Sequence, residues 1–451
     1  MDKLEFKLMQ HTPIIHFQTN VKGATIRPTE FKAKLDKYFI GKWTGCYGLK
    51  DDRLNALWKN PSFWKFVKNG YDFSIDIDPI KNKKPSAPAL DYKIEIAVNN
   101  SDQNDINGKE LQLGEEFKND FKLFFGNMGN NNPIKKKFSY HNQIIVTIKS
   151  TNQELLRIIN QEISLFLFNV NFGTRQNKGF GSFFLNNSIH SEIIDKESIN
   201  NHKCYKFKVD VSNLKELEAQ KKLFKYIDFL YRTMRSGINR NGLYYIKPTI
   251  WHYLKDKDYQ WDKKTIKEHF YASEIPRPIT RNHASQDSPI AFSQTKPETE
   301  KYLWRDLLGF SAEQEWRSYT DKHVRKILNK STEKELKRFT APITFKPLRK
   351  DANTFVVFIL LNGPFADDAK KEEHELKNFP FSEIFSKQVE ISNKSLTIPS
   401  LPFPETFDYY EFLKESFKLT YFDLKIKGDD SNPDLKIVKN IFSQLNSQNP
   451  Y

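Results

Sequence analysis

The order in which apolar residues change their spacing between residues 3 and 185 most restricts what this chain can become. Leu4-Glu-Phe-Lys-Leu8 alternates apolar and charged side chains, the period of a half-buried strand. After Pro28-Thr29, with Thr29 as the expected cap, Phe31, Leu35 and Phe39 fall four apart on one helical face. Lys32, Lys34 and Lys37 lie off that face, and Gly41 is the expected stop. Tyr71–Ile77 and Asp91–Val98 alternate again, and Gln143–Ile148 is β-branched and strand-like. Thr151 with Glu154 fits a capping box ahead of Leu155, Ile159, Ile163, Phe166 and Val170 at helical spacing. Phe180–Leu185 then returns to a strand. Strand, helix, at least two strands, helix, strand is the βαββαβ order of a ferredoxin-like unit, here with inserted loops.

The second half carries similar signals. Lys203–Val211 alternates, and Asn213 with Glu216 can cap a long helix with Leu223, Ile227, Leu230 and Met234 on its buried side and Gly237 at its end. Trp251–Phe270, Glu298–Leu308 and Phe407–Phe417 read as helices, and Ala341–Lys346, Thr354–Leu361 and Tyr421–Lys427 as strands. A chain of 451 residues is long enough for two domains. We place them at 1–195 and 196–451 and expect an α+β protein of two ferredoxin-like domains, the second with helical insertions.

Between the second helix and the following strand lies Asn169–Phe184, which holds Gly173, Gly179 and Gly181 with Arg175 and Lys178 between them. Glycine backbone exposes N–H groups, and the two cations can neutralise phosphate, so the loop suggests a polyanion cradle. A Lys-Ser/Thr ending, as in a P-loop, is absent, and a dinucleotide loop would follow a strand rather than a helix. Gln176 and Asn177 add groups suited to phosphate and sugar. Phe180, held between two glycines, is the best candidate for stacking on a base. Lysine and arginine outnumber acids 71 to 56, a net charge of +15, which fits a nucleic-acid partner.

Few residues suggest other chemistry. Two cysteines, Cys46 and Cys204, supply neither a disulfide framework nor paired zinc ligands. Asp76 and Asp78 share one side of a strand without a third ligand, so no metal and no cofactor are expected. The runs Ile163–Phe168 and Phe355–Leu361 are too short to span a bilayer, and a cytoplasmic protein without a membrane partner is expected. His11 and His16 flank Pro13 and are the candidates for metal-free RNA cleavage, one as base and one as acid.

Three segments carry a family resemblance. The Gly-x₅-Gly-Phe-Gly spacing of Gly173–Gly181, after a helix late in a βαββαβ unit, resembles the glycine-rich loop of the RAMP superfamily, the RNA-binding proteins of CRISPR systems. Arg27-Pro-Thr-Glu-Phe-Lys32 and Lys337-Arg-Phe-Thr-Ala-Pro-Ile-Thr-Phe345 resemble segments of the RAMP subunit that caps the head of the type III-B (Cmr) complex. Lys32-Ala33 stands where that family has Lys-Gly. The resemblance implies contact with guide RNA through the glycine loop and packing against other RAMP subunits, and target RNA is expected as a further partner. It also implies no nuclease activity, because a neighbouring subunit supplies the cleaving Asp. On this reading Gly173, Gly179 and Gly181 give backbone access, Arg175 and Lys178 contact phosphates, and Arg27, Lys32 and Lys34 extend the track. The alternative is an endoribonuclease that processes CRISPR repeat RNA with His11 and His16.

Overall fold

A computed structural model of the chain describes residues 1–15, 25–44, 66, 89–98, 111–112, 137–139, 143–186, 204–240, 243–257, 259, 261, 303–311, 313–315, 323–330, 335–336, 338–339, 342–361, 385–391, 397–398, 407–448 and 450. The chain divides into two units that interleave along the sequence. One combines Met1–Lys203, Val209–Phe224 and Thr344–Lys370; the other combines Cys204–Lys208, Lys225–Ile343 and Lys371–Tyr451.

In the first unit, β1 (Asp2–Gln10), α1 (Pro28–Thr44), β2 (Lys93–Val98), β3 (Ile144–Ser150), α2 (Gln153–Asn169) and β4 (Phe183–Leu185) occur in this order, with the short strands Ile14–Ile15, Leu111–Gln112 and Lys137–Ser139 between them in a sheet of their own. The four strands form one sheet in the order β2–β3–β1–β4, with every neighbouring pair antiparallel. Leu4 pairs with Ile148, Phe6 with Val146 and Leu8 with Ile144. Side chains two apart share a face, so the alternation read from the sequence puts these residues on one side of the sheet. There they meet the helical stripes: Phe31, Leu35 and Phe39 of α1 and Leu155, Ile159, Ile163 and Phe166 of α2 join the same buried core. Phe31 and Phe166 lie edge to face, 5.3 Å between centroids. Burying each such side chain stabilises the unit by about 2 kcal/mol.

Two helix starts differ from expectation. Pro28 opens α1 as expected, but Thr29 lies inside its first turn rather than capping it, and the Arg27 carbonyl accepts the Phe31 N–H. Proline suits that first position because the N–H it lacks would have had no intrahelical acceptor. The cap of α2 is Asn152 rather than Thr151: its side chain accepts the Leu155 N–H at 3.0 Å, and Ser150 Oγ accepts the Asn152 N–H. Nor does Gly41 end α1, which continues to Thr44. Trp43 stacks on Phe39 at 5.3 Å and Lys42 pairs with Glu162. Those contacts outweigh the roughly 1 kcal/mol that a mid-helix glycine costs.

From Thr344 the first unit also holds a hairpin, formed by the strands Ile343–Asp351 and Thr354–Leu361. The first of these starts at Ile343 rather than Ala341 and runs past Lys346 to Asp351. Phe358 of the hairpin meets Phe168 of α2 edge to face at 5.1 Å.

The second unit is richer in helix. Thr249–Asp256 packs Tyr253 against Phe412 of the helix Tyr409–Lys418, and Phe417 of that helix meets Phe442 of the helix Pro433–Leu445. The described end of the expected helix Glu298–Leu308 is a 3₁₀ turn, Arg305–Leu308. Its Leu307 and Leu308 carbonyls accept the hydroxyls of Tyr409 and Tyr231. Tyr421–Lys427, expected as a strand, begins instead with one helical turn, Tyr421–Leu424, before the strand Lys425–Lys427. Thr420 and Asp423 form a capping box there and satisfy the turn locally. The long helix Glu216–Arg235 has the predicted buried stripe and turns off at Gly237, φ +71°, but Asn213 lies before it in a left-handed conformation and does not cap it. The expected helix Trp251–Phe270 is seen only as Thr249–Asp256; residues 262–270 lie outside the described residues, as do the strand at 71–77, Asp76 and Asp78. Among the described residues no helix is long and apolar enough to cross a membrane.

Candidate functional site

The glycine loop runs from the end of α2 to β4 and wraps around Thr12–Ile15. Phe172 N–H bonds the Gly181 carbonyl, closing the loop at its neck, where Asn171 and Ser182 form an isolated antiparallel bridge. A methyl on Gly181 would sit 1.9 Å from the Phe172 carbonyl oxygen, and one on Gly173 would sit 2.7 Å from the Ile15 carbonyl oxygen. Both glycines have positive φ, +66° and +81°. No other residue fits these two places without strain.

The glycine N–H groups point into the protein, not outward. Gly173 donates to Glu30 Oε1 at 2.9 Å, Gly179 to the Gln176 carbonyl at 3.1 Å and Gly181 to the Pro13 carbonyl at 2.9 Å. Thr12 Oγ1 donates to the Gly179 carbonyl and accepts the Ser182 N–H. The expected open cradle of glycine amides is therefore not what the backbone builds. The glycines supply close approach and curvature, and their donors are consumed by Glu30 of α1, by the loop's own Gln176 and by Pro13.

Lys34 and Lys346 grip the loop from opposite ends of the sequence. Lys34 Nζ donates to the Asn171 carbonyl and to Gln176 Oε1, pairs with Glu30 at 3.1 Å, and lies over the Phe172 ring. Burial lowers its pKa from the usual lysine value, while the nearby Glu30 carboxylate opposes that shift. Lys346 is fully buried, and its Nζ donates to the Val170 carbonyl at 2.7 Å and the Phe183 carbonyl at 3.2 Å, the two flanks of the loop. Desolvation, with Lys34 adding a like charge, drives its pKa well down. Asn171 completes the brace by donating to the Gln176 and Phe345 carbonyls, and Ser182 Oγ donates to the Pro347 carbonyl.

The other candidates separate into tip, brace and core. Arg175, with φ +56°, and Asn177 are half-exposed and Gln176 is exposed, so Thr174–Asn177 forms the outward tip. Lys178 is only 6 % exposed, which withdraws it from the phosphate contacts expected for it. Phe180 is fully buried and stacks on Phe224, centroids 3.9 Å apart and planes 4° from parallel. It is a core residue and not a platform for a base. Lys32 is held over the Tyr92 ring, donates to the Leu90 carbonyl at 2.8 Å and pairs with Asp36, so it fastens α1 rather than projecting from it. Arg27 lies half-buried just before α1. Two residues of this site, Glu30 and Lys346, went unread in the sequence. Glu30 sits one helical turn before Lys34, and Lys346 is the lone charge in the apolar strand start Ile343–Leu348, which are the signals that could have found them.

His11 is also internal. It is fully buried, lies edge-on to Phe184 at 5.1 Å, and accepts the Arg349 N–H at Nδ1, 2.9 Å away. That bond places the ring proton on Nε2 and occupies the lone pair a general base would use. His16 lies outside the described residues. Among the described residues no group of three His, Cys, Asp or Glu side chains could hold a metal ion.

Comparison with known proteins adds a family. Residues 1–238 match the family model of the Cmr1 N-terminal domain, and residues 245–443 match that of the Cmr1 C-terminal domain. No curated protein matches the chain. Among solved structures, the apo crystal structure of Cmr1 from Pyrococcus furiosus matches over 87 % of this chain and 94 % of its own length, at 9 % identity and a TM-score of 0.36. At that distance the likeness transfers no residue role.

Proposed function

Because the chain belongs to the Cmr1 family, and is thus a RAMP subunit of the Cmr-type, type III-B CRISPR effector complex, we propose that it is a non-catalytic subunit contacting guide or target RNA through the tip of its glycine loop. The observation that carries this reading is the pair of family matches, one in each half of the chain. In the proposal, Arg175 meets a phosphate and Gln176 and Asn177 meet sugar or phosphate. Gly173, Gly179 and Gly181 shape the loop, and Lys34 and Lys346 hold it still. The net charge of +15 supports a polyanionic partner. With the elements between Arg235 and Ile343 taken as insertions, the chain order Tyr205–Asp210, Glu216–Arg235, Ile343–Asp351 and Thr354–Leu361 supports a second ferredoxin-like domain, since strand, helix, strand, strand is how such a domain begins. Other RAMP subunits would be its protein partners, and the cytoplasm its location.

The test is the salt dependence of single-stranded RNA binding by the full chain. Arg175→Ala should make the slope of log affinity against log salt shallower by about 0.7, one phosphate contact on a single strand. An unchanged slope would take the tip off the RNA path. Incubation with repeat RNA in chelator tests the endoribonuclease alternative: specific cleavage that His16→Ala abolishes would overturn the non-catalytic reading.

A further inference from the structure

Among the described strands, Tyr205–Asp210 is the last of its sheet, and its residues alternate buried and exposed, so Lys206 and Lys208 turn their side chains outward. A terminal strand normally presents a row of free backbone donors and acceptors to any strand that approaches. Here two glutamines occupy that row. Lys206 N–H donates to Gln448 Oε1 at 3.0 Å, and Gln448 Nε2 donates back to the Lys206 carbonyl. Lys208 N–H donates to Gln444 Oε1 at 2.8 Å, and Gln444 Nε2 donates back to the Lys208 carbonyl at 3.1 Å.

Each primary amide thus offers the donor and acceptor that a residue of a neighbouring strand would offer. The spacing is commensurate. Gln444 lies in the last turn of the helix Pro433–Leu445, Gln448 lies just past its end with its N–H on the Leu445 carbonyl at 3.1 Å, and their two amides reach residues two apart along the strand. The second N–H of each amide is also used. Gln444 Nε2 bonds Asn440 Oδ1 at 2.9 Å and Gln448 Nε2 bonds the Gln444 carbonyl at 2.8 Å, which fixes the amide orientation. The carrier helix Pro433–Leu445 is anchored by buried Leu435, Val438, Ile441, Phe442 and Leu445, and by Asp434 accepting from Tyr244 and pairing with Lys225.

We infer that Gln444 and Gln448 act as a surrogate strand that closes the edge Lys206–Lys208 against strand addition by a second copy of this chain. A pair of primary amides, Gln444 in the last turn of a fixed helix and Gln448 in the turn just past it, satisfies the edge without extending the sheet, so the next free edge never forms.

The full chain with Gln444→Ala and Gln448→Ala tests this by sedimentation velocity over a concentration series and by amide hydrogen exchange. Relative to the unaltered chain, the double variant should associate as concentration rises. The Lys206 and Lys208 amides of its monomer should exchange on the order of tenfold faster. Adding Lys206→Pro, which removes one outward N–H at an edge where proline is tolerated, should abolish the association. A double variant that shows the sedimentation of the unaltered chain and unchanged protection would overturn the inference. So would association that survives Lys206→Pro, since that would mark exposed core and not strand pairing.

Discussion

Among the described glycines, Gly181 is the one where an added methyl would meet another atom most closely. Its Cβ would overlap the Phe172 carbonyl in a backbone conformation that side chains avoid, so Gly181→Ala should cost about 3 kcal/mol or more in denaturant unfolding. A loss under about 0.5 kcal/mol would show that the neck of the loop relaxes freely. A second residue-scale expectation concerns acid. Burial pushes His252 down to about 4 from the usual 6.5, against the opposing pull of Asp256. The unfolded chain takes up that proton near 6.5 and the folded chain resists until about 4, so the stability is complete above 6.5 and falls through that window. His252→Gln should flatten the fall by about 2 kcal/mol, after allowance for residual solvent contact, in melts across the window. Single residues were unevenly legible. The glycines of the loop stood out because nothing else tolerates their conformations. Two glycines flanking Phe180 suggest exposure from local sequence, whereas the turn tucks that ring onto Phe224, 44 positions along the chain.

At the scale of elements, the loop and α1 behave as one clamp. Lys34 joins Glu30, Asn171 and Gln176, so Lys34→Met should loosen the Thr174–Asn177 tip and cost about 1–2 kcal/mol of stability. It should weaken RNA binding while leaving the salt slope unaltered, because Lys34 positions the tip without meeting phosphate. A slope reduced as much as by Arg175→Ala would make Lys34 a phosphate ligand instead. Anisotropy titrations at several salt concentrations distinguish the two. The helical stripes Phe31–Leu35–Phe39 and Leu155–Ile159–Ile163–Phe166 were legible since burial on one face imposes their spacing. The helix ends were less so. Asn152 and Thr151 are both good caps, and only the Ser150 side chain, which accepts the Asn152 N–H, decides between them. Gly41 failed as a stop because Trp43 found Phe39 to stack on.

For the whole molecule, the first βαββαβ order was readable because its strands and helices announce themselves by period. The brace from Lys346 was not: it joins the loop across 163 and 176 positions of sequence, a distance no local pattern encodes. That brace changes what the basic character of the chain accomplishes. Lys32, Lys34, Lys178 and Lys346 spend their side chains inside the protein or along its seams, and in the proposal Arg175 of the tip makes the phosphate contact. The most direct measurement is photo-crosslinking of thiouridine-labelled guide RNA, and separately target RNA, in a reconstituted type III-B complex containing this chain. Crosslinked peptides are then mapped by mass spectrometry. Crosslinks from either RNA should fall at Thr174–Asn177 and disappear with Arg175→Ala while the complex still assembles. Assembly with no crosslink to those residues from either strand would contradict the RNA role of the loop.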